Sequence, residues 1–222
     1  MIEKMSFSST NKTLVCINTC INDAESLHEL QQTDWYKFIE KSPEYRPIIV
    51  LADPKVGHSF TYEDKLIIKT EEEYTNLCIK TFYMVDYFMQ NTIYDYFMKV
   101  DSNIIKGNHN TTSELFSFDH FLKKFNEGAF KEEYGGACPI LGANPNQLRY
   151  WANSKKLSVM PELLLTELGI DEFPIKYWAG SSYSLGRGNT YKITQNKHVF
   201  NSFKNLMAGC EDLCVGTVVK KL

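Results

Sequence analysis

Apolar residues along the chain fall into short solid runs separated by longer amphipathic stretches. Leu14-Val15-Cys16-Ile17 is a solid run that ends on Asn18 and Thr19, which predicts a buried first strand. From Asp23 to Lys41, apolar residues return at helical spacing at Leu27, Leu30, Trp35, Phe38 and Ile39. That pattern predicts a helix broken near Thr33-Asp34. Ile48-Ile49-Val50-Leu51-Ala52 predicts a second buried strand, closed by Asp53-Pro54. Residues 71–90 carry the clearest helical period, with Leu77, Thr81, Met84 and Phe88 on one face. Glu71, Glu72 and Glu73 stand at the start of that stretch, where carboxylates suit a helix dipole. Tyr94 to Val100 predicts the next strand, which runs directly into Asp101.

Residues 106–113 are polar and turn-like, and Leu115 to Phe125 predicts an aromatic-rich helix. Tyr134-Gly135-Gly136-Ala137-Cys138-Pro139 predicts a strand with a close backbone approach. Tyr177 to Arg187 predicts a strand and turn, and Glu211 to Leu222 a helix with an acidic start and a basic end. Strands alternating with helices predict one α/β domain over residues 1–222, with a mostly parallel central sheet between helical layers. Ligands of such sheets bind beyond the carboxyl ends of the strands. That rule points to Asn18 and Thr19, to Asp53, and to Asp101-Ser102-Asn103.

Composition narrows the partners. The chain has 222 residues, 43% hydrophobic and 14% aromatic, enough apolar material for a sizeable core. A net charge of −3 without a basic run argues against a nucleic-acid partner. No stretch approaches the roughly 20 apolar residues of a membrane span, and Met1 to Lys12 lacks the apolar centre of a signal peptide. The expected setting is cytoplasmic and soluble, or a domain excised from a larger or Golgi protein. The six cysteines form no C-x-x-C pair and read as reduced, mostly buried thiols. The five scattered histidines argue against a zinc site.

A strand that ends on a carboxylate can hold a hard divalent cation together with ligand phosphates. Here the segment is Asp101-Ser102-Asn103, so the third position is an amide, which ligates without charge. By itself, D-x-N is a weak signal: more often such an Asp begins a turn and the Asn satisfies a loop. Arg187, between two glycines, is a weaker candidate for phosphate or acceptor.

Four segments in order add to this. Glu72-Glu73-Tyr74-Thr75-Asn76-Leu77-Cys78-Ile79-Lys80-Thr81 resembles a helix motif D-x-Y-x-N-L-x-x-K-T. Phe97-Met98-Lys99-Val100-Asp101-Ser102-Asn103-Ile104 resembles y-x-x-K-x-D-D-D-v. Tyr177-Trp178-Ala179-Gly180-Ser181-Ser182-Tyr183-Ser184-Leu185 resembles Y-P-x-Y-x-x-G-x-x-Y-v-l-S, and Glu211-Asp212-Leu213-Cys214-Val215-Gly216 resembles E-D-V-x-x-G. From about residue 62 onward the chain thus resembles the family 31 glycosyltransferases, the group of the β-1,3-galactosyltransferases and Fringe.

The resemblance implies a GT-A fold, a Rossmann-like α/β/α sandwich, and sugar transfer with inversion from a nucleotide-sugar donor, by family a UDP-sugar. The acceptor would be a glycan or glycoprotein. It implies Asp212 as general base, and Asp101 with Asn103 around a Mn2+ or Mg2+ ion. Thr19, Asp53, Lys80, Asp101, Ser102, Gly180 and Tyr183 would border the donor, and Trp178 the acceptor. Asn103 stands where the family carries its main metal-ligating Asp. Family members also continue further past the E-D-V-x-x-G segment. The expectation is therefore either a domain of a longer protein or a compact soluble enzyme like the short GT-A domains of large DNA viruses of algae. The competing expectation is a non-catalytic nucleotide- or carbohydrate-binding relative.

Overall fold

The computed structural model describes residues 10–73, 76–107, 114–143, 175–179, 181–207 and 211–221. Strands β1 (Thr13–Asn18), β2 (Tyr45–Ala52), β3 (Phe60–Tyr62), β4 (Lys65–Ile68), β5 (Tyr96–Asp101), β6 (Tyr134–Gly136) and β9 (Ser182–Gly186) form a seven-stranded sheet. Their order is β3-β4-β2-β1-β5-β9-β6. The pairs joining β4, β2, β1 and β5 are parallel. β3 is antiparallel to β4, and β9 is antiparallel to both β5 and β6. Strands β7 (Pro139–Ala143) and β8 (Ile175–Trp178) form a separate antiparallel pair. The protein is therefore α/β with a mixed sheet whose centre is parallel.

The described helices are α1 (Ala24–Gln32), α2 (Asp34–Lys41), α3 (Leu77–Asn91), α4 (Phe118–Asn126), α5 (Arg187–Gln195), α6 (Lys197–Met207) and α7 (Glu211–Lys221). They cover both faces of the sheet. Strand residues alternate between the two faces. Leu14, Cys16, Val50 and Phe97 pack with α3, α5, α6 and α7 on one side. Val15, Ile17, Met98 and Val100 pack with α1, α2 and α4 on the other. The solid apolar runs are thus strands buried on both faces, as the centre of a parallel sheet requires.

Local chemistry sets several boundaries. Thr33 ends α1 and starts α2: its hydroxyl donates to Leu30 O at 2.6 Å and accepts from Tyr36 N at 3.2 Å. Ser117 caps α4 in the same way, accepting from His120 N at 3.1 Å. Pro47 sits in β2 below the point where β4 begins to pair, at Ile49, so its missing N–H costs no bond on that side. The Gly135-Gly136 approach is real. A Cβ at Gly135 would overlap the Ala129 carbonyl, and one at Gly136 would lie 2.9 Å from the Trp178 side chain.

Two expectations are corrected. The helix predicted over 71–90 begins at Leu77, and Glu71 to Glu73 lie outside it. The Glu72 carboxylate serves other partners, described below. The segment Tyr177 to Arg187 divides: Tyr177 and Trp178 belong to the small sheet, while β9 enters the main sheet antiparallel beside β5. The β3–β4 hairpin and helices α5 and α6 carry patterns too short or too polar to stand out in the sequence.

No disulfide joins the described cysteines; Cys16, Cys78, Cys138 and Cys214 are buried and Cys20 is partly exposed. Among the described residues, no helix is long and apolar enough to cross a membrane.

Candidate functional site

From β1 the chain moves to β2 on one side and later to β5 on the other. The strand order therefore reverses between β1 and β5, and a crevice opens at the carboxyl ends of those two strands. The parallel register places Asn18 directly opposite Asp101 there. The Asn18 amide donates to Asp101 Oδ1 at 2.7 Å.

A cavity of about 280 Å³ occupies this crevice. Asn18, Thr19, Asp101 and Asn103 line its strand-end wall. Cys20 and Asp23 line the turn after β1, and Glu71, Glu72, Glu73, Asn76, Leu77 and Lys80 line the side formed by the start of α3. Five of these residues carry a carboxylate and one an ammonium, so the cavity is acidic. A second cavity, of about 390 Å³ and lined by Arg46 and residues 90–94, lies at the opposite ends of the strands.

Lys80 and Thr19 brace the wall. Lys80 is 3% exposed. Its ammonium donates to Thr19 O at 2.6 Å and to Glu72 Oε1 at 2.5 Å. The other Glu72 oxygen accepts Ala52 N at 3.0 Å. This pair, with Lys80 buried and Glu72 partly exposed, thus ties the ends of β1 and β2 to α3. Burial pulls the Lys80 pKa below the usual lysine value, with the Glu72 carboxylate opposing. Ser102 is buried, and its hydroxyl donates to Thr19 Oγ1 at 2.9 Å.

Asp101 has a buried cation behind it. Lys99 lies two residues earlier on the same face of β5, and its Nζ is 2.8 Å from Asp101 Oδ1. The same Nζ is 2.7 Å from Glu211 Oε1, in the first turn of α7. Lys99 also lies 5.7 Å from the ring centre of Tyr183, its cross-strand neighbour on β9. Burial works against the Lys99 charge, but the carboxylates of Asp101 and Glu211 overcome it and hold its pKa above the usual lysine value. Burial pushes the Glu211 pKa up to about 7 against the pull of Lys99, with Asp212 and Asp101 adding to the rise.

Of the residues predicted from the sequence, Thr19, Lys80, Asp101 and Asn103 come together at the cavity, and Ser102 supports Thr19 from behind. Asp53 does not join them. Its carboxylate accepts Lys55 N at 2.8 Å and closes the turn after β2. Tyr183 is fully buried between β5 and β6, so its ring is core and not a wall of the cavity. Trp178 is half-buried against Gly136, and its indole N–H donates to Tyr134 O at 3.1 Å. Gly180 lies outside the described residues. Asp212 is half-buried in the first turn of α7, accepts Leu213 N at 2.8 Å, and does not line the cavity. Arg187 is committed elsewhere: its guanidinium donates to Tyr94 O and Met89 O at 3.1 and 3.2 Å, capping the last turn of α3.

Sequence reasoning named Asn18 only as a strand end and Glu72 only as a first-turn carboxylate, and gave Lys99 and Glu211 no role beyond their place in the motif-like segments. The signal for Lys99 was present. A lone lysine inside an apolar strand must find a carboxylate, because an isolated buried charge is too costly.

Among the described residues, no three His, Cys, Asp or Glu side chains converge as a metal cage. The donor chemistry suits a hard cation only in company with a ligand. Asp101 and Asn103 offer one carboxylate and one amide, and Mg2+ or Mn2+ commonly takes one or two carboxylates with substrate phosphates completing its shell. No protein-family model matches the chain, and no characterised protein matches its sequence significantly. The molecule is defined by its fold and site: an α/β protein with an acidic cavity at the switch point of its sheet.

Proposed function

We propose that the chain is a nucleotide-sugar-dependent glycosyltransferase of the GT-A type, moving a sugar from a UDP-sugar to a glycan hydroxyl with inversion. The observation that carries this reading is the convergence of Asp101, Asn103, Thr19 and Lys80 on one cavity at the β1–β5 crevice. The four motif-like segments add to it. Five carboxylates against one ammonium would repel a bare diphosphate, so the donor would enter with a divalent cation at Asp101 and Asn103. A cation bound there would offset charge that develops on the leaving UDP.

The remaining chemistry falls to the chain. Thr19 would meet the ribose side of the donor, with Ser102 holding its hydroxyl from behind. The E-D-V-x-x-G-like segment assigns the base to Asp212, which lies outside the cavity lining and would take the proton from an acceptor hydroxyl that reaches it as that oxygen attacks the anomeric carbon. The bond to UDP breaks, UDP leaves with the electron pair, and attack from the opposite face inverts the configuration. The test is calorimetric titration of UDP with and without Mn2+, on wild type and Asp101→Ala. Metal-dependent binding that the variant loses is the expected result. Absence of binding in both conditions sinks the reading.

A second reading has its own observation. The uncharged amide at Asn103, beside the single carboxylate of Asp101, favours a non-catalytic binder of nucleotides or carbohydrates. UDP binding without transfer to any hydroxyl acceptor, and without Mn2+ dependence, would select it.

A further inference from the structure

Lys99, Asp101 and Glu211 form a charged row whose members differ in access. The side chains of Lys99 and Glu211 are 1% and 6% exposed, and that of Asp101 is 25% exposed. Asp101 opens on the cavity, whereas Glu211 begins α7, the helix that carries Asp212 one residue later. One ammonium at 2.8 and 2.7 Å from two carboxylates is shared between them. Anything that draws charge from Asp101 leaves more of the ammonium for Glu211. The reverse holds as well, since coupling between two sites is reciprocal.

We propose that Lys99 is a positioning residue that passes the charge state of Asp101 to the seating of α7 through Glu211. The proposal deepens the transferase reading and rests on it for its purpose: a donor and cation engaging Asp101 would tighten the helix that carries the candidate base. The geometry favours this over a passive buried pair. Both partners of Lys99 sit at ends of elements, where small shifts are tolerated, and only one of them faces the cavity. Asn18 also donates to Asp101 Oδ1, so a second donor holds the carboxylate if the ammonium shifts towards Glu211.

The test needs no ligand. Amide hydrogen exchange along residues 213–219 is measured for wild type, Asp101→Asn, Glu211→Gln and the double variant. Neutralising Asp101 frees Lys99 for Glu211, so D101N is expected to slow exchange at the start of α7 by about threefold or more. In the E211Q background, the same substitution should leave α7 unchanged. Equal slowing in both backgrounds, or no change in either, overturns the proposal. Lys99→Met combined with E211Q removes both charges and gives an independent background in which D101N must again be silent. UDP with Mn2+ forms a separate arm. It should slow α7 in wild type and not in E211Q. A wild type that binds no UDP removes the transferase reading, while the D101N arm still decides the coupling.

Discussion

Lys80 and Lys99 are both buried beside the same crevice, yet their surroundings act on them in opposite directions. Lys80 faces one carboxylate, Glu72, and a backbone carbonyl; burial prevails and its pKa falls. Lys99 faces two carboxylates, and its pKa rises despite deeper burial. The difference lies in the count of opposing charges within reach, because desolvation penalises both ammonium groups. A buried lysine with one partner is a brace that could give up its proton. One held between two carboxylates is a fixed positive charge around which other groups titrate.

The largest test of this contrast is Lys99→Met. It leaves two carboxylates near one another without their cation, and a loss of about 3–5 kcal/mol is expected in urea unfolding. Lys99→Met with Glu211→Gln should recover most of it, since a neutral, well-packed pair often matches a buried ion pair. Recovery of less than a third would mean that packing, not charge, dominates there. Lys80→Met should cost less, about 1–3 kcal/mol, because Glu72 remains 22% exposed and can turn to water. A K80M loss equal to that of K99M would erase the distinction.

Dependence on pH sharpens it further. Glu211 is raised from 4.5 to about 7, so between those values the folded chain holds a proton that the unfolded chain has released. Its contribution is therefore fullest below pH 4.5 and is lost as pH rises through about 7. Glu211→Gln should flatten the fall in urea midpoint across that window; an unchanged slope would assign the fall to other groups. The two lysines differ in sign on the alkaline side. The raised Lys99 stabilises below 10.5 and loses its contribution as pH passes its folded value. The lowered Lys80 lets stability rise with pH between its folded value and 10.5. The smallest effect is expected at Asp53→Asn, where the amide can still close the turn. Stability should change by no more than about 0.5 kcal/mol, and UDP affinity should not change at all.

The central strands and most of the helices were legible because solid apolar runs and helical periods are strong signals. The break at Thr33 could be read from the same pattern, since the residue type that ends one helix also caps the next. The extent of the glutamate run was misread. First-turn preference favoured Glu71 to Glu73 as helix, but Glu72 forms stronger bonds to Lys80 and Ala52 N from outside it. Asp101, Thr19 and Lys80 were found because strand ends and a helix motif pointed to them. Asn18 was reached only as a strand end and Glu211 was missed, because the bonds they make depend on register and on a contact between residues 112 positions apart. Tyr183 failed for a related reason. Motif position suggested a ligand wall, whereas its place opposite Lys99 on an inner strand makes it core.

The place of β9 has a consequence for the order in which the protein can assemble. The four parallel strands are complete once residue 101 has left the ribosome, and they can pair without anything that follows. β6 is made next, but its partner in the sheet is β9, which arrives only at residues 182–186. Until then β5 presents an open edge and β6 waits unpaired, a state prone to mispairing. Nascent chains halted before residue 182 should therefore protect β1, β2, β4 and β5 from proteolysis while leaving 134–136 open to cleavage. Extending the chain through residue 186 should close both edges in one step.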